Sequence, residues 1–282
     1  MSTFSGLYTF DMSVLANFKA LMGDTHAQIL AQGWVQTADT GQTDPATIGA
    51  LPAQNGTTCY AIYKPGDALT PFYVRLEFMR QLNDWPTYGV QIGSGTDGAG
   101  NLTGNVSVRR AISAALSTAG NPLYVSCSAN GRMGIALNPA SGDTNQQLCV
   151  SIGRAKDGTG ATADGHATQI VAGYNNLRFQ HTIMFSGTNA VEHQNWRAAL
   201  PRPAASGTQW TVGTHLGVAW VVPMCIPYGA NPSHDAGIWG SGQAFAPGTT
   251  TVVNVYGANH TYLIGRRTVD DNDFAAWLMR YE

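Results

Sequence analysis

Between residues 15 and 30 the apolar positions recur at steps of three and four. Leu15, Phe18, Met22 and Ile29 fall on one helical stripe with Thr25 between them, and Leu21 and Leu30 widen it. Asp11 or Ser13 can cap the start, and Gly33 supplies the stop. The spacing predicts a short N-terminal amphipathic helix lying on a sheet. The same steps also fit a short coiled-coil seam against copies of the chain, which makes Leu15, Phe18 and Met22 candidate interface contacts.

From Trp34 the period changes to two. Phe72, Val74, Leu76 and Phe78 alternate with Tyr73, Arg75, Glu77 and Met79, the pattern of a half-buried strand. Further strands are expected at 59–63, 88–93, 123–128, 133–137, 148–152, 177–185, 216–222, 250–256 and 262–265. Lys64-Pro65-Gly66-Asp67 reads as a turn and Asn130-Gly131 as a tight hairpin. Residues 274–281 fit a last strand or a short helix. Ten or so short strands with turn residues between them predict a mainly β fold, an antiparallel β-sandwich or jelly-roll-like body. The expected organisation is a helical anchor over 1–33 and a β-rich body over 34–282. Pro201 to Gly207 is a point where the body could divide, as a linker or a surface crossover.

One strand-loop device recurs. Val90-Gln91-Ile92-Gly93 with Asp97-Gly98 returns sixty residues later as Val150-Ser151-Ile152-Gly153 with Asp157-Gly158. Each copy reads as a strand ending at Gly and running into a mobile loop with positive-φ positions. In a single sandwich the two loops would emerge at one end and form a contact surface.

Composition sharpens this picture. The 282 residues are 44% hydrophobic, enough for a core, but only 11% are charged, against about 25% in an average soluble protein. Small polar residues and 33 glycines replace the missing charge, which suits a surface covered by neighbouring subunits. A net charge of −2 gives no electrostatic attraction to nucleic acid. Cys59, Cys127, Cys149 and Cys225 are irregularly spaced among strand-like neighbours and read as reduced core thiols. Residues 1–15 do not have the pattern of a signal peptide. The longest apolar run, 216–226, is interrupted by Pro223 and falls short of the roughly 20 residues of a membrane helix, so no membrane partner is expected.

The chemistry motifs are sparse. There is no Gly-x-Ser-x-Gly elbow, phosphate-cradling loop, dinucleotide fingerprint or His-Glu-x-x-His. No catalytic residue, cofactor or metal is therefore expected. His181 and His193, on neighbouring strands, are the nearest histidine pair for a metal, with ordinary surface or interface histidines as the alternative. Asp97, Asn101 and Asn105, and likewise Asp157 and Asp164, offer oxygens for calcium, but too few carboxylates for a hard-cation site; hairpin turns account for them. Glu77, Asp84, Glu192 and Asp235 are isolated in sequence and form no evident glycosidase pair. Tyr228 to Trp239, with Tyr228, His234 and Trp239, reads as an irregular loop, buried against another subunit or stacking on a sugar.

Gly33 to Gln42, Gly-Trp-Val-Gln-Thr-Ala-Asp-Thr-Gly-Gln, marks the junction of the two periodicities. A helix, an aromatic strand with a Gln-Thr-x-Asp-Thr-Gly-Gln turn, and then Gly-rich hairpins resembles structural proteins of tailed-bacteriophage particles over about the first hundred residues. The resemblance implies a virion component assembled in the host cytoplasm: a tail, baseplate or neck appendage, or else a capsid decoration protein. Its implied partners are copies of itself and other virion proteins. A host-surface glycan is the competing partner, met by the loops around Asp97, Asp157 and Trp239. The resemblance brings no functional residue with it.

Overall fold

The computed structural model describes residues 3–115, 117, 120–141, 146–156, 162–173, 176–184, 191–193, 222–228, 231–241, 246–255, 258–266 and 276–282. The chain opens with β1 (Thr3–Tyr8), α1 (Leu15–Ala31) and β2 (Trp34–Gln36). It continues with β3 (Tyr60–Pro65), β4 (Tyr73–Arg80), β5 (Pro86–Gly93), β6 (Gly95–Thr96), β7 (Leu102–Thr103) and β8 (Arg110–Ser113). Next come β9 (Asn121–Ser128), β10 (Arg132–Leu137), β11 (Leu148–Lys156), β12 (Thr162–Gly173), β13 (Asn176–Met184) and β14 (Val191–His193). The last are β15 (Val222–Tyr228), β16 (Asn231–Ser241), β17 (Thr250–Val255), β18 (Ala258–Arg266) and β19 (Ala276–Arg280).

The fold is mainly β, in antiparallel sheets. Among the described residues, eight strands of a twelve-stranded sheet follow the path β1-β9-β10-β11-β16-β19-β18-β17, and the other four branch from it, β12, β13 and β14 from β11 and β15 from β16. A second sheet runs β2-β3-β4-β5-β8, and β6 and β7 form a small ribbon.

The central strands are covered on both faces. Toward the five-stranded sheet they present Leu123, Val125, Cys127, Met133, Ile135, Leu137, Leu148, Val150 and Ile152, which share one core with α1 and with Tyr63, Val74, Leu76, Phe78, Tyr88 and Val90. The opposite face is built of small groups: Ser126, Gly134 and Ser151 stand in one cross-strand row, and Ala136 lies beside Cys149 in the next. There the chain's last strands fold over. The Met279 sulfur would lie 3.0 Å from a Cβ on Gly134, Arg132 donates to the Arg280 carbonyl at 2.9 Å, and the Tyr124 and Tyr281 rings meet edge to face at 5.5 Å. Small side chains let this outer layer approach closely; the sandwich-like layering comes from the large sheet turning back on itself.

The buried face of α1 is Phe18, Leu21, Met22, Gly23, Thr25, His26 and Ile29, a stripe at helical spacing. Each fully buried large apolar side chain on it contributes roughly 1.5–3 kcal/mol. The helix departs from expectation in three respects. It is preceded by β1, which pairs with β9 from Thr3 opposite Ser126 to Tyr8 opposite Asn121, and Phe10, Met12 and the buried side chains of α1 belong to the same core as the sheets. Its stripe includes Thr25 and His26, which blurs the apolar–polar contrast. Its N-cap position is Val14, with no side-chain cap. The Asp11 carboxylate instead accepts from the Ser13 N–H at 3.0 Å, ahead of the helix. Gly33 ends the helix as expected, with φ +95° just after Gln32.

Other differences follow from side-chain pattern. The turn after β3 starts one residue past Pro65, which still pairs with Trp34. Of the stretch from Tyr228 to Trp239, expected as an irregular loop, residues 231–239 lie in β16, whereas residues 276–280 take the strand of the two alternatives left open for 274–281. β11 does not stop at Gly153 but runs on to Lys156, so the second copy of the repeated device differs from β5, which does end at Gly93. The two copies belong to different sheets. The strand expected at 216–222 and the stretch 201–207 lie outside the described residues, apart from Val222.

Candidate functional site

The outer face of the five-stranded sheet holds a concentrated group of charges. Alternation along β4 sends Val74, Leu76 and Phe78 inward and Arg75 and Glu77 outward. Register places Glu77 between Tyr60 on β3 and Gly89 on β5. The Glu77 side chain is only 4% exposed and lies between two guanidinium groups: Arg75 Nε at 3.3 Å and Arg109 Nε at 2.5 Å. A Cβ on Gly89 would run into Glu77 Oε2, so the glycine leaves the room the carboxylate occupies. Removing a carboxylate from water is costly, and the two flanking cations offset that cost here.

A roof closes over this group. Arg75 lies 4.0 Å above the Tyr60 ring and donates to the Gly100 carbonyl at 2.9 Å. The Tyr60 hydroxyl donates to the Thr40 carbonyl at 3.3 Å, and the Thr40 N–H to the Gly98 carbonyl at 3.0 Å. This ties the Thr40–Gly41 turn to the loop between β6 and β7. Asp97 folds that loop: Oδ1 accepts the N–H groups of Ala99 at 2.8 Å and Asn101 at 3.0 Å, and Oδ2 accepts from Asn101 Nδ2 at 2.8 Å. These bonds, the Asn101 side chain first, hold the Asp97 carboxyl below its usual range. Both oxygens are engaged in the turn, which fits the hairpin reading of this loop. Gly98 and Gly100 take φ of +75° and +93°, as the sequence led one to expect, but the loop is bonded down at several points.

Gln42 organises the rest of the Gly33–Gln42 stretch. Its Nε2 donates to the carbonyls of Thr37 and Asp39, each at 2.9 Å, while Oε1 accepts the Ile62 N–H at 2.6 Å. One side-chain amide thus closes the turn and joins it to β3. Trp34 Nε1 donates to the Arg132 carbonyl at 2.9 Å, linking the same stretch to the large sheet.

The residues singled out from sequence do not converge. Phe18 and Met22 are fully buried in the chain's own core, and Leu15 is half-buried at the first turn of α1. Asp97 is exposed on its loop, and Asp157 lies outside the described residues. Tyr228 ends β15 opposite Asn231; His234 on β16 pairs with Lys156 and Cys225, and Trp239 with Pro223 and Leu278. The last three therefore stand in a ladder and not in an irregular loop. His193 falls directly across from His181 between β13 and β14. Among the described residues no group of three or more His, Cys, Asp or Glu is placed to hold a metal ion. No helix among them is long and apolar enough to cross a membrane. Cys59, Cys127 and Cys149 are buried and outside any disulfide, as expected.

Compared with family models, curated proteins and solved structures, the chain matches none. Fold and site define a class only: a layered, mainly antiparallel β protein in which, among the described residues, Glu77 closes on Arg75 and Arg109.

Proposed function

We propose that this chain is a non-enzymatic structural component of a tailed-phage particle, a tail, baseplate or neck appendage that assembles with copies of itself. The observation that carries the reading is the state of the two strands that end the large sheet's main path among the described residues. β1 and β17 contain no charged residue, and they leave Leu7 and Val252 73% and 62% exposed. Natural proteins guard free sheet edges with charge or proline, and an unguarded edge is a template for another chain. Arginines support the same reading: Arg75, Arg80, Arg109, Arg154 and Arg280 all pair with carboxylates of their own chain. That leaves polar, weakly charged β surfaces for contact. The Gly33–Gln42 stretch, bonded into the body by Gln42 and Trp34, suits the structural role that its resemblance implies.

The test is light scattering coupled to size exclusion at micromolar concentration. A homo-oligomer is expected, weakened by Leu7→Lys together with Val252→Lys. A strict monomer, with no contact between copies in electron micrographs of the particle, would refute the proposal. Sugar-specific binding on a glycan array, lost in Trp239→Ala, would move the chain to the receptor-binding class.

A further inference from the structure

Helix α1 is fastened to the five-stranded sheet by two hydrogen bonds inside the core. The Thr25 hydroxyl donates to the Leu21 carbonyl at 2.8 Å and meets the Tyr88 hydroxyl at 2.7 Å. One residue on, His26 Nδ1 lies 2.5 Å from the Tyr63 hydroxyl. Tyr63 is fully buried and His26 is 5% exposed. The His26 ring also meets Phe78 edge to face at 6.0 Å.

This arrangement works in one protonation state. Burial pushes the Tyr63 phenol well above its ordinary value, so it keeps its proton, and with His26 in its Nε2–H tautomer that proton is donated to Nδ1. Burial holds the His26 imidazole below its ordinary 6.5 and outweighs the Asp44 carboxylate, which acts the other way. Neutral His26 can accept at Nδ1; imidazolium has a proton on both nitrogens and accepts nothing. The groups around it are Tyr63 from β3, Asp44 from the segment after β2, and the uncharged Phe78 ring from β4, with Cys59 and Cys127 beside Tyr63. Asp44 is the one carboxylate among these, and burial outweighs it at His26.

We propose that the His26–Tyr63 bond is an acid-sensitive latch: a proton added at His26 Nδ1 loosens α1 from the five-stranded sheet. The proton takes the lone pair that the Tyr63 O–H donates to, so that hydroxyl must turn and lose its acceptor inside the core. The new charge sits against Phe78. The sign follows from linkage: undocked His26 titrates at its ordinary value and docked His26 below it. Docking is therefore at full strength above about pH 6.5 and weakens as pH falls. The opening equilibrium rises by up to tenfold per pH unit until the docked value is passed.

Hydrogen-exchange mass spectrometry on the full chain, at pH 7.5 and 5.5 and corrected for intrinsic exchange, tests this. Peptides from α1 should lose protection by up to about tenfold at the lower pH, and His26→Gln should remove that step. Equal protection of α1 at both values, or an unchanged step in His26→Gln, would overturn the latch. Should His26→Gln not fold, an NMR titration of His26 in the unaltered chain decides: a midpoint below 6.5 supports the latch and one at or above 6.5 ends it. Tyr63→Phe, which removes the donor to Nδ1, should move that midpoint upward.

Discussion

The side chain of Gln32 completes a ladder for Cys127. β1 pairs with β9 as far as Ser126, and Gln32 answers the amide one residue on. Its Oε1 accepts the Cys127 N–H at 2.5 Å, and its Nε2 donates to the Val125 carbonyl at 3.3 Å. The residue that ends the helix thus bonds to β9 as a neighbouring strand would. Gln32→Ala leaves a buried amide unanswered and should cost about 1–3 kcal/mol. Gln32→Glu should not rescue it, because a carboxylate can accept from Cys127 but cannot donate to Val125. Urea denaturation measures both; a Gln32→Ala midpoint equal to the parent's would show that water replaces the side chain.

The Glu77 group makes a second prediction. Glu77→Ala leaves Arg75 and Arg109 facing each other without their anion. Breaking a buried pair costs about 3–5 kcal/mol, and the lower end applies because Arg109 is 35% exposed. Gly89→Ala should destabilise through the same carboxylate by steric overlap. Adding Glu77→Ala to Gly89→Ala should therefore cost less than the two single losses summed, and strict additivity would argue against the overlap.

Two glycines of one loop separate conformation from space. Gly98 and Gly100 both have positive φ, but a Cβ on Gly98 meets nothing within 4 Å, whereas one on Gly100 strikes the Tyr60 hydroxyl and comes within 3.0 Å of the Thr40 carbonyl oxygen. Gly98→Ala should cost only the backbone term, about 1–2 kcal/mol. Gly100→Ala should cost distinctly more and release the roof over Arg75. Equal melting temperatures for the two variants would contradict this.

Thiol chemistry gives a fourth. Burial pushes Cys59 and Cys127 up to about 12, Asp44 adding to the effect at Cys59 and Arg132 opposing it at Cys127. At pH 8 neither should react with a disulfide reagent until the chain unfolds. Peptide mapping after native labelling checks this, and modification of either residue at the rate of a free thiol would mean that the core opens readily.

Much of the fold was legible where a strand is covered by large groups on one face. The alternation from Phe72 to Phe78 and the Asn130-Gly131 turn were plain for that reason, and Gly131 does adopt φ +91°. β12, rich in Ala, Thr and Gly, and β16, with Pro232, Gly237 and Gly240, lack that contrast. The candidate site was half legible. Alternation put Arg75 and Glu77 on one face, but the link to Arg109 crosses two strand registers that sequence spacing does not give. Gln32 and Gln42 carry no signal at all, since a structural glutamine is chemically identical to a solvated one.

The small-residue face of β9, β10 and β11 has a consequence in time. Synthesis delivers these strands well before Met279 and Tyr281, which pack on their outer side, so the nascent chain carries that face without them while more than a hundred further residues are made. A face of Leu and Ile would invite aggregation during that wait. Ser126, Gly134, Ala136 and Ser151 give a neighbouring nascent chain little to adhere to, yet they still admit Met279 and Tyr281 when those residues arrive.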